Sequence, residues 1–382
     1  MTTAASMPML DKGLANTIAA ESAMSFIDGQ NGILEYVGID IDALARNSTF
    51  EEVVYLLWHR KLPTRGELEA FASGIRAEYD LPEVMWDVIK TIPTSAAPMH
   101  ALRTLVSALA LSDSEADDPS SAANERKGVR LLAKAPALIA NFDRHRKGRD
   151  FIKPNSSLSV ASAFLTMLNG QQPTETMAKA LDVCLILHAD HGFNASTFAA
   201  LVTISTLSDM YSAVTTAIGT LKGPLHGGAN EAVLHMLTEI GQMDRVEPYI
   251  REKLDRKELV MGFGHRVYKA YDPRASYLKT FAERLAEDTG NRELYEMSRR
   301  IDQIMHEAVA AKGIHPNVDF YSATTYYSIG LDIDLFTPMF VMSRIGGWVG
   351  HCIEQLADNK LIRPRCEYIG PHEAAYVPIE GR

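Results

Sequence analysis

Three short segments of the chain combine glycines with side chains that can move protons or carry charge. The first is GPLHGGANEA at 223–232, where Pro224 fixes one backbone angle and the glycines let the backbone approach a ligand closely. A helical pattern resumes at about Ala229, which predicts that His226 lies just before a helix N-terminus. The helix dipole disfavours imidazolium there, and a neutral imidazole can donate a hydrogen bond to a developing oxyanion. Taken by itself, this segment is more typical of a turn whose histidine caps a helix.

The second segment, MGFGHRVYKAYDPRA at 261–275, concentrates basic residues in a chain that is acidic overall. It contains His265, Arg266, Lys269 and Arg274 beside two glycines. Glycine N–H groups and cationic side chains together suit an anion, and the planar fork of Arg274 matches a carboxylate at two points. The alternative interpretation is a solvated basic turn.

The third segment, NVDFYS at 317–322, places a carboxylate between apolar neighbours. Asp319 is flanked by Val318 and Phe320, so partial removal from water is expected to raise its pKa towards that of a useful base. In isolation, an aspartate in such a segment is more typical of a helix N-cap. Each of the three segments is therefore ambiguous when it is taken alone.

Most of the chain around these segments has the period of an α-helix. Apolar residues recur at steps of three and four along 177–188, 229–240 and 294–308. The sequence does not alternate strand and helix units, which argues against a doubly wound sheet. The one strand signal is SFIDGQNGILEYVGI, which predicts a β-hairpin around a DGQNG turn, and the polar stretch 113–128 is predicted to be a solvated loop. The sequence thus predicts an all-α fold with one short N-terminal β-hairpin.

Composition and charge narrow the classes of function. The 382 residues are 46% hydrophobic and 23% charged, as in globular proteins, and the length favours two domains. A net charge of −10 argues against a nucleic-acid partner, because phosphate contacts need clustered Lys and Arg. The three cysteines have neither disulfide-framework nor zinc spacing. Because the sequence has no apolar run of spanning length and no secretory signal pattern, we expect no membrane association and a cytoplasmic location.

Taken together and in this order, the three segments resemble the active-site motifs of the citrate synthase family. The preceding HADHGFNASTF at 188–198, the later SRIGGWVGHCIEQL and IRPRCEYIGP between 343 and 371, and the hairpin sequence IDGQNGILEYVG are similar to that family as well. The resemblance extends from about Phe26 to Pro371. One departure is Ala323 after NVDFYS, where relatives often carry glycine. A single motif is weak evidence, but so many in one order are highly specific.

The resemblance implies a condensation of an acyl-CoA with a 2-oxo acid and assigns the three catalytic roles. His226 would hydrogen-bond the thioester carbonyl as the enolate forms, and Asp319 would remove a proton from the acyl methyl group. His265 would polarise the ketone of the 2-oxo acid. A carbanion-type condensation needs these three functions, because a methyl group beside a thioester is a very weak acid.

The resemblance also implies the residues that bind the substrates. His191, Arg274 and Arg344 would hold the oxo acid, with Asn194 supporting His191, and Arg363 would come from the other subunit. The phosphates of CoA would lie near two basic residues of the second segment, Arg266 and Lys269. The substrates are small molecules, and we expect no metal and no cofactor apart from the CoA thioester itself.

The family's architecture implies a large and a small helical domain and a homodimer or higher homo-oligomer. In this sequence the large domain would comprise 1–225 and 326–382, and the small domain 226–325 would close over the cleft. Closure would keep water out until the condensation product is ready for thioester hydrolysis.

Four alternatives remain open from the sequence. A 2-methylcitrate synthase, which uses propionyl-CoA, would keep every residue named above, because one methylene changes selectivity by only ~1–3 kcal/mol. GFGHRVYK is similar to a glycine-rich nucleotide-binding loop, but the chain lacks the other motifs of a phosphotransferase. His188 and His191 would supply only two ligands to a metal. A non-catalytic CoA-binding or scaffold protein is disfavoured, because both catalytic histidines, Asp319 and the carboxylate-binding arginines are all present.

Overall fold

The computed structural model describes residues 10–14, 16–265 and 267–382, and this part of the chain is overwhelmingly helical. The first eight α-helices are α1 Ile41–Asn47, α2 Phe50–His59, α3 Arg65–Ala77, α4 Glu83–Thr91, α5 Pro98–Leu109, α6 Ser121–Arg146, α7 Val160–Asn169 and α8 Glu175–His188. The next eight are α9 Ala195–Ser205, α10 Met210–Leu221, α11 Ala229–Ile240, α12 Val246–Asp255, α13 Pro273–Thr289, α14 Arg292–Val309, α15 Val318–Ser328 and α16 Phe336–Ala357. The predicted all-α class is confirmed, and the three apolar stripes correspond to α8, α11 and α14.

The β-hairpin is also confirmed, with one addition. Strands β1 Ser25–Asp28 and β2 Ile33–Tyr36 pair antiparallel, and a two-residue strand β3, Ile39–Asp40, pairs with β2. The sequence analysis did not anticipate β3. Tyr36 at the end of β2 is fully buried, and its hydroxyl donates to the carbonyl of Asp190 at 2.9 Å. The hairpin is therefore attached to the chain that follows α8.

Helix α16 passes through the core and packs against α6, α8, α9 and α2. All but one of its residues from Phe336 to Cys352 are buried, which an amphipathic surface helix would not allow. Glycines let its neighbours come close, because a Cβ at Gly350 would lie 2.6 Å from the Met24 side chain. Helix α16 thus forms a fixed support for the elements around it.

The prediction of a solvated loop at 113–128 is wrong for the second half of that stretch. Of the stretch 113–128, residues 113–120 are irregular, but α6 begins at Ser121 and continues through the rest. Ser120 caps this helix, since its side-chain oxygen accepts from the Ala123 N–H. Lys127 is buried rather than solvated, and its ammonium donates to the carbonyls of Ala116 and Asp118. Because these contacts satisfy the buried ammonium group, a polar stretch of sequence can form the packed start of a helix.

Candidate active site

The loop between α8 and α9 carries His191 and Asn194. Asn194 is the N-cap of α9, and its side-chain oxygen accepts from the backbone N–H groups of Ser196 and Thr197, both at 3.1 Å. Its amide nitrogen donates to the Gly192 carbonyl at 3.2 Å. Asn194 therefore shapes the turn that presents His191. The hydrogen bonds of the Asn194 side chain are to the backbone of this turn and to α9. The Nε2 atom of His191 lies 3.2 Å from the hydroxyl oxygen of Tyr268, on the 261–275 segment.

Arg344 approaches the same loop from α16. Its side chain is buried, its Nε donates to the His188 carbonyl at 2.6 Å, and its guanidinium lies 4.7 Å from the centre of the Phe340 ring. Burial lowers the pKa of Arg344 to about 10, which still leaves it charged at neutral pH. A buried arginine with one nitrogen anchored in this way is suited to hold a carboxylate.

His226 lies in a turn directly before α11, as predicted. The backbone N–H of His226 donates to the Gly223 carbonyl, and Gly228 is the N-cap of the helix. Burial, and then the positive charge of Arg344, lower the pKa of His226 to about 4, so the ring is neutral. This agrees with the expected neutrality, and burial and the charge of Arg344 are sufficient causes for it.

The surroundings of His226 indicate which ring nitrogen is available to a ligand. Its Nε2 accepts from the Ser196 N–H at 3.2 Å and lies 2.8 Å from the Ser196 hydroxyl oxygen. That oxygen in turn accepts from the Trp348 indole N–H at 3.2 Å. Because a backbone N–H can only donate, these contacts favour the tautomer with the proton on Nδ1. No residue in the described part of the chain hydrogen-bonds to Nδ1, so the Nδ1–H can donate to an oxyanion.

His265 lies in a turn that is closed by hydrogen bonds to its own imidazole ring. Its Nδ1 accepts from the N–H groups of Val267 and Tyr268 at 3.1 and 3.2 Å, which leaves the proton of the neutral ring on Nε2. Burial, followed by the charge of Arg274, lowers the pKa of His265 to about 4. The His191 ring centre lies 5.5 Å from that of His265. Burial also lowers the pKa of His191 well below its ordinary value, so two neutral imidazoles lie edge to face.

Of the two glycines of GFGHR, Gly264 does not expose its N–H group to an anion as expected. The Gly264 N–H donates to the His315 carbonyl at 2.9 Å. Both Gly262 and Gly264 have φ near +80°, a conformation that other residues rarely adopt. A Cβ at Gly262 would also lie 2.8 Å from the Phe320 side chain. The glycines are needed for the shape of the turn and its close packing on α15.

Asp319 is the second residue of α15, and the helix is capped by Asn317 rather than by Asp319 itself. The Asn317 side-chain oxygen accepts from the Asp319 N–H at 3.0 Å, and its amide nitrogen donates to the Gly264 carbonyl at 2.9 Å. One asparagine thus ties the Asp319 turn to the His265 turn. Burial raises the pKa of Asp319 to about 6, although the charges of Arg274 and Arg344 oppose this rise. The elevated pKa agrees with the prediction from its apolar neighbours.

Arg274 is buried, but one edge of its guanidinium is already occupied. Its Nε and one terminal nitrogen donate to the two carboxylate oxygens of Asp272 at 2.9 and 2.8 Å. Asp272 also accepts from the Val318 N–H at 3.1 Å, and Val318 directly precedes Asp319. Asp272 therefore fixes Arg274 relative to α15. The nitrogen Nη1 has no hydrogen-bond partner in the described part of the chain, which leaves it free for a ligand.

Two further predicted residues, Lys269 and Arg363, do not form part of this cluster. Lys269 is exposed, and its positive charge contributes to the lowered pKa of His265, while its backbone N–H donates to the Gly29 carbonyl at 2.8 Å. Arg363 is exposed in the segment after α16, and no hydrogen bond or ion pair joins it to the described site of its own chain. Arg266 lies outside the described residues.

Three comparisons with known proteins agree with this geometry. The family model for the citrate synthase C-terminal domain matches residues 13–365. The citrate synthase 2 of Bacillus subtilis is 50% identical over 372 residues, which cover 97% of this chain and 99% of the relative. The chain belongs to the citrate synthase family. A 2-methylcitrate synthase of Mycobacterium tuberculosis is 43% identical and covers 97% of this chain and 93% of its own length.

A solved structure shares the fold at the level of the whole chain. It is the ternary complex of carboxymethyl coenzyme A and oxaloacetate with the citrate synthase of Thermoplasma acidophilum. The TM-score is 0.91 at 35% identity, and the match covers 98% of this chain and all of that one. The family resemblance predicted from the motifs is thus confirmed over nearly the full length.

Sequence reasoning missed several residues that support the site. Asp272 and Asn317 have a recognisable signal, because an aspartate before Pro273 and an asparagine before an apolar run are both typical N-caps. Ser196 and Tyr268 have no such signal, since their contacts come from segments that are distant in sequence. Among the described residues, no group of three or more His, Cys, Asp or Glu is arranged to hold a metal. Nor does any described helix combine the length and apolarity needed to cross a membrane.

Proposed function

We propose that the protein condenses acetyl-CoA with oxaloacetate and hydrolyses the resulting thioester to citrate and CoA. The observation that carries this proposal is the difference in ionisation among the three candidate catalytic groups. Burial holds His226 and His265 neutral and moves the pKa of Asp319 to about 6. A base with two neutral hydrogen-bond donors is the set that enolate formation and aldol-type attack require.

The proposed reaction follows from the available atoms. The Asp319 carboxylate takes a proton from the acyl methyl group while the Nδ1–H of His226 donates to the thioester oxygen, on which negative charge develops. The enolate carbon then attacks the ketone carbon of oxaloacetate, and the ketone oxygen receives the proton that His265 carries on Nε2. The proton that Asp319 took from the methyl group balances this loss, and its return through water to His265 restores both groups for the next turnover. A carbon–carbon bond forms without any change of redox state. Water then cleaves the thioester, and CoA leaves as the thiol.

The oxo acid is proposed to bind through the cationic groups on the opposite side. Arg344 and the free nitrogen of Arg274 would hold its carboxylates, and His191 would donate to it beside His265. The Thermoplasma acidophilum citrate synthase binds oxaloacetate and carboxymethyl coenzyme A in one ternary complex, which supports two adjoining subsites in this family. Lys269 and Arg266 would lie on the CoA side. No metal or further cofactor enters this proposal.

Arg363 is proposed to complete the site of a second copy of the chain. The segment that carries it is anchored at its start, because the Ile362 N–H donates to the Ser205 hydroxyl at 3.1 Å. Beyond it, large apolar side chains are exposed, namely Tyr368, Ile369, Tyr376 and Ile379. Such a tail would be covered by a partner subunit. The two-domain division and the cytoplasmic location expected from the sequence remain predictions.

The subunit proposal has a direct test by complementation. Asp319→Asn and Arg363→Ala chains are each expected to be inactive as homodimers. When they are mixed and allowed to exchange subunits, one site of each mixed dimer contains both Asp319 and Arg363. Recovery of thiol release on mixing supports contribution in trans, whereas its failure in demonstrably exchanged dimers would contradict it. Light scattering over a range of concentrations gives the oligomeric state independently.

A thiol-release assay with oxaloacetate and a series of short acyl-CoA donors tests the reaction itself. The expected result is the highest kcat/KM with acetyl-CoA and the loss of activity in Asp319→Asn. A preference for propionyl-CoA would favour 2-methylcitrate synthase, the function named for the 43% identical relative. Substrate binding without thiol release in the parent protein would instead favour the non-catalytic alternative.

A further inference from the structure

Helix α16 holds three consecutive residues, the last residue of α8 and the first two of the α8–α9 loop, through residues on successive turns. Arg344 donates to the His188 carbonyl at 2.6 Å, and the Gly347 N–H donates to the Ala189 carbonyl at 3.1 Å. One turn further, Nε2 of His351 lies 3.1 Å from a carboxylate oxygen of Asp190. Positions three and four residues apart share a helix face, so these contacts form one continuous row. The next residue of the loop is His191.

Gly347 makes this close approach possible. A Cβ at this position would lie 2.3 Å from the Ala189 carbonyl oxygen and 2.7 Å from a carboxylate oxygen of Asp190. Any larger residue would therefore push the loop away from α16. The row of contacts depends on the loop lying directly on the helix backbone.

Asp190 is a fully buried carboxylate with polar partners on both sides. Its Oδ2 accepts from the Ser25 hydroxyl at 2.6 Å and from the Gly192 N–H at 3.2 Å. The Ser25 contact joins the loop to β1, and His351 joins it to α16. A buried charge is costly unless it is paired and hydrogen-bonded. His351 is the side chain in contact with Asp190 that can supply the opposite charge.

His351 is buried between two carboxylates. On its far side, Nδ1 lies 3.7 Å from a carboxylate oxygen of Glu354, beyond hydrogen-bonding distance. The Glu354 carboxylate accepts from Arg60 and from the Ala23 N–H, both at 2.9 Å. Burial by itself lowers the pKa of His351, but the charge of Asp190, with the further contribution of Glu354, raises it to about 9. The ring is therefore an imidazolium at neutral pH. The nearby Arg344 adds positive charge to the same region.

We propose that His351 is a positioning residue for oxo-acid binding. Its charged ring fixes Asp190 and thereby the loop that presents His191. The inference rests on the proposed function, because it assigns His191 to the oxo-acid subsite. His351 acts through the loop and does not take part in proton transfer. Its loss should therefore weaken oxo-acid binding more than it affects acyl-CoA binding or the chemical step.

The test measures oxaloacetate binding by calorimetry and, in parallel, kcat and both KM values. His351→Gln is expected to weaken oxaloacetate binding about ten- to a hundred-fold, as for a small displacement of a binding group, with KM for acetyl-CoA unchanged. The double variant Asp190→Asn/His351→Gln is expected to restore most of the affinity, because two neutral amides leave no buried charge unpaired. As a matched control, Lys134→Met breaks the Lys134–Glu78 pair of 2.8 Å away from the site and should leave the affinity unchanged.

A pH series on the parent protein provides evidence even if His351→Gln does not fold. A histidine whose pKa is raised on folding stabilises the structure below that pKa and loses the contribution above it. Oxaloacetate affinity should therefore fall as pH rises through about 9, and the double variant should lack this loss. The titratable groups that act on His351 directly are Asp190 from the loop and Glu354 from α16. Arg344 from α16 acts on Asp190, and the Tyr36 hydroxyl from β2 donates to the Asp190 carbonyl.

Two results would overturn the inference. One is a His351→Gln protein that melts at a lower temperature but binds oxaloacetate as tightly as the parent. The other is an identical pH dependence of affinity in the parent and the double variant. Neither result touches the proposed reaction, which the parent protein's thiol release tests separately.

Discussion

The two sides of the candidate site are held in different ways. On the side next to α16, Arg344 and the loop residue Asp190 are buried and joined by direct bonds to the core. The other side is formed by the turns that carry His226 and His265 and by the start of α15 with Asp319. Its supports are backbone hydrogen bonds, glycines and the side chains of Ser196 and Asn317. Leu225 beside His226 is fully exposed, and 41% of Val267 is exposed. The first side is suited to bind charge in a fixed place, and the second to adjust around a substrate.

The difference has a physical reason. A carboxylate is discriminated by fixed cations at a fixed spacing, so rigidity improves binding of the oxo acid. The acyl-CoA must enter, react and leave, which requires elements that open at low cost. Substitutions on the α16 side should therefore change oxo-acid affinity, whereas substitutions on the turn side should change turnover.

The largest effect is expected on the turn side from Asp319→Asn. Removal of the base should lower kcat by about 10³-fold, within the range for a positioned general base, and leave oxaloacetate binding nearly unchanged. The measurement is kcat by thiol release together with calorimetry of oxaloacetate. Turnover at the parent rate would eliminate Asp319 as the base.

The same variant has an opposite effect on stability. Because burial raises the pKa of Asp319 to about 6, its ionised form is destabilising above that pH, and folding is favoured as pH falls. Asp319→Asn should therefore melt at a higher temperature than the parent at pH 8, and the difference should shrink towards pH 5. Thermal unfolding at the two pH values measures this. A destabilised variant would mean that the native charge is better solvated than its surroundings indicate.

On the α16 side, Arg344→Lys should raise KM for oxaloacetate by about ten- to a hundred-fold, because lysine has no planar fork. The lost hydrogen bond is the 2.6 Å contact from Nε to the His188 carbonyl. The kcat at saturating oxaloacetate should change much less. Steady-state kinetics with each substrate varied in turn separate the two parameters. An equal loss in kcat would remove the distinction between the two sides.

The pH dependence of turnover gives a smaller and reversible effect. The kcat/KM for acetyl-CoA should rise through about pH 6 and level off above it, since Asp319 must be ionised to act as the base. Below that pH the rate should fall about tenfold for each further unit. The pKa values of His226 and His265, both about 4, place their protonation lower still. A pH-rate profile with no acidic limb near 6 would contradict this assignment.

The smallest effect is expected at the hairpin turn that contacts the 261–275 segment. A Cβ at Gly29 would lie 2.2 Å from the Val267 carbonyl oxygen, so Gly29→Ala must displace the segment that carries His265. We expect substrate binding to weaken by about 1 kcal/mol, which corresponds to roughly a five-fold rise in KM. Gly74→Ala in α3 is the matched control, because nothing lies within 4 Å of its added Cβ. Equal KM values in both variants would show that the hairpin turn does not position the segment.

Much of the fold was predictable because it depends on local patterns. The stripes of α8, α11 and α14 and the DGQNG hairpin follow from side-chain period and turn chemistry. The start of α6 was not predictable, since Ser121 to Gly128 is polar and becomes helical where Lys127 is satisfied by carbonyls of the preceding loop. The strand β3 was missed because two residues carry no period.

The candidate site divides in the same way. The sequence by itself determined the family, the reactive residue types and the apolar flanks of Asp319, whereas burial in the fold raises the pKa of that carboxyl. Only the tertiary structure decided that Asp272 occupies one edge of Arg274, that Ser196 lies against His226, and that His351 pairs with Asp190. The reason is that composition and spacing act over a few residues. Pairing of buried charges depends on which distant segments the core brings within hydrogen-bonding distance.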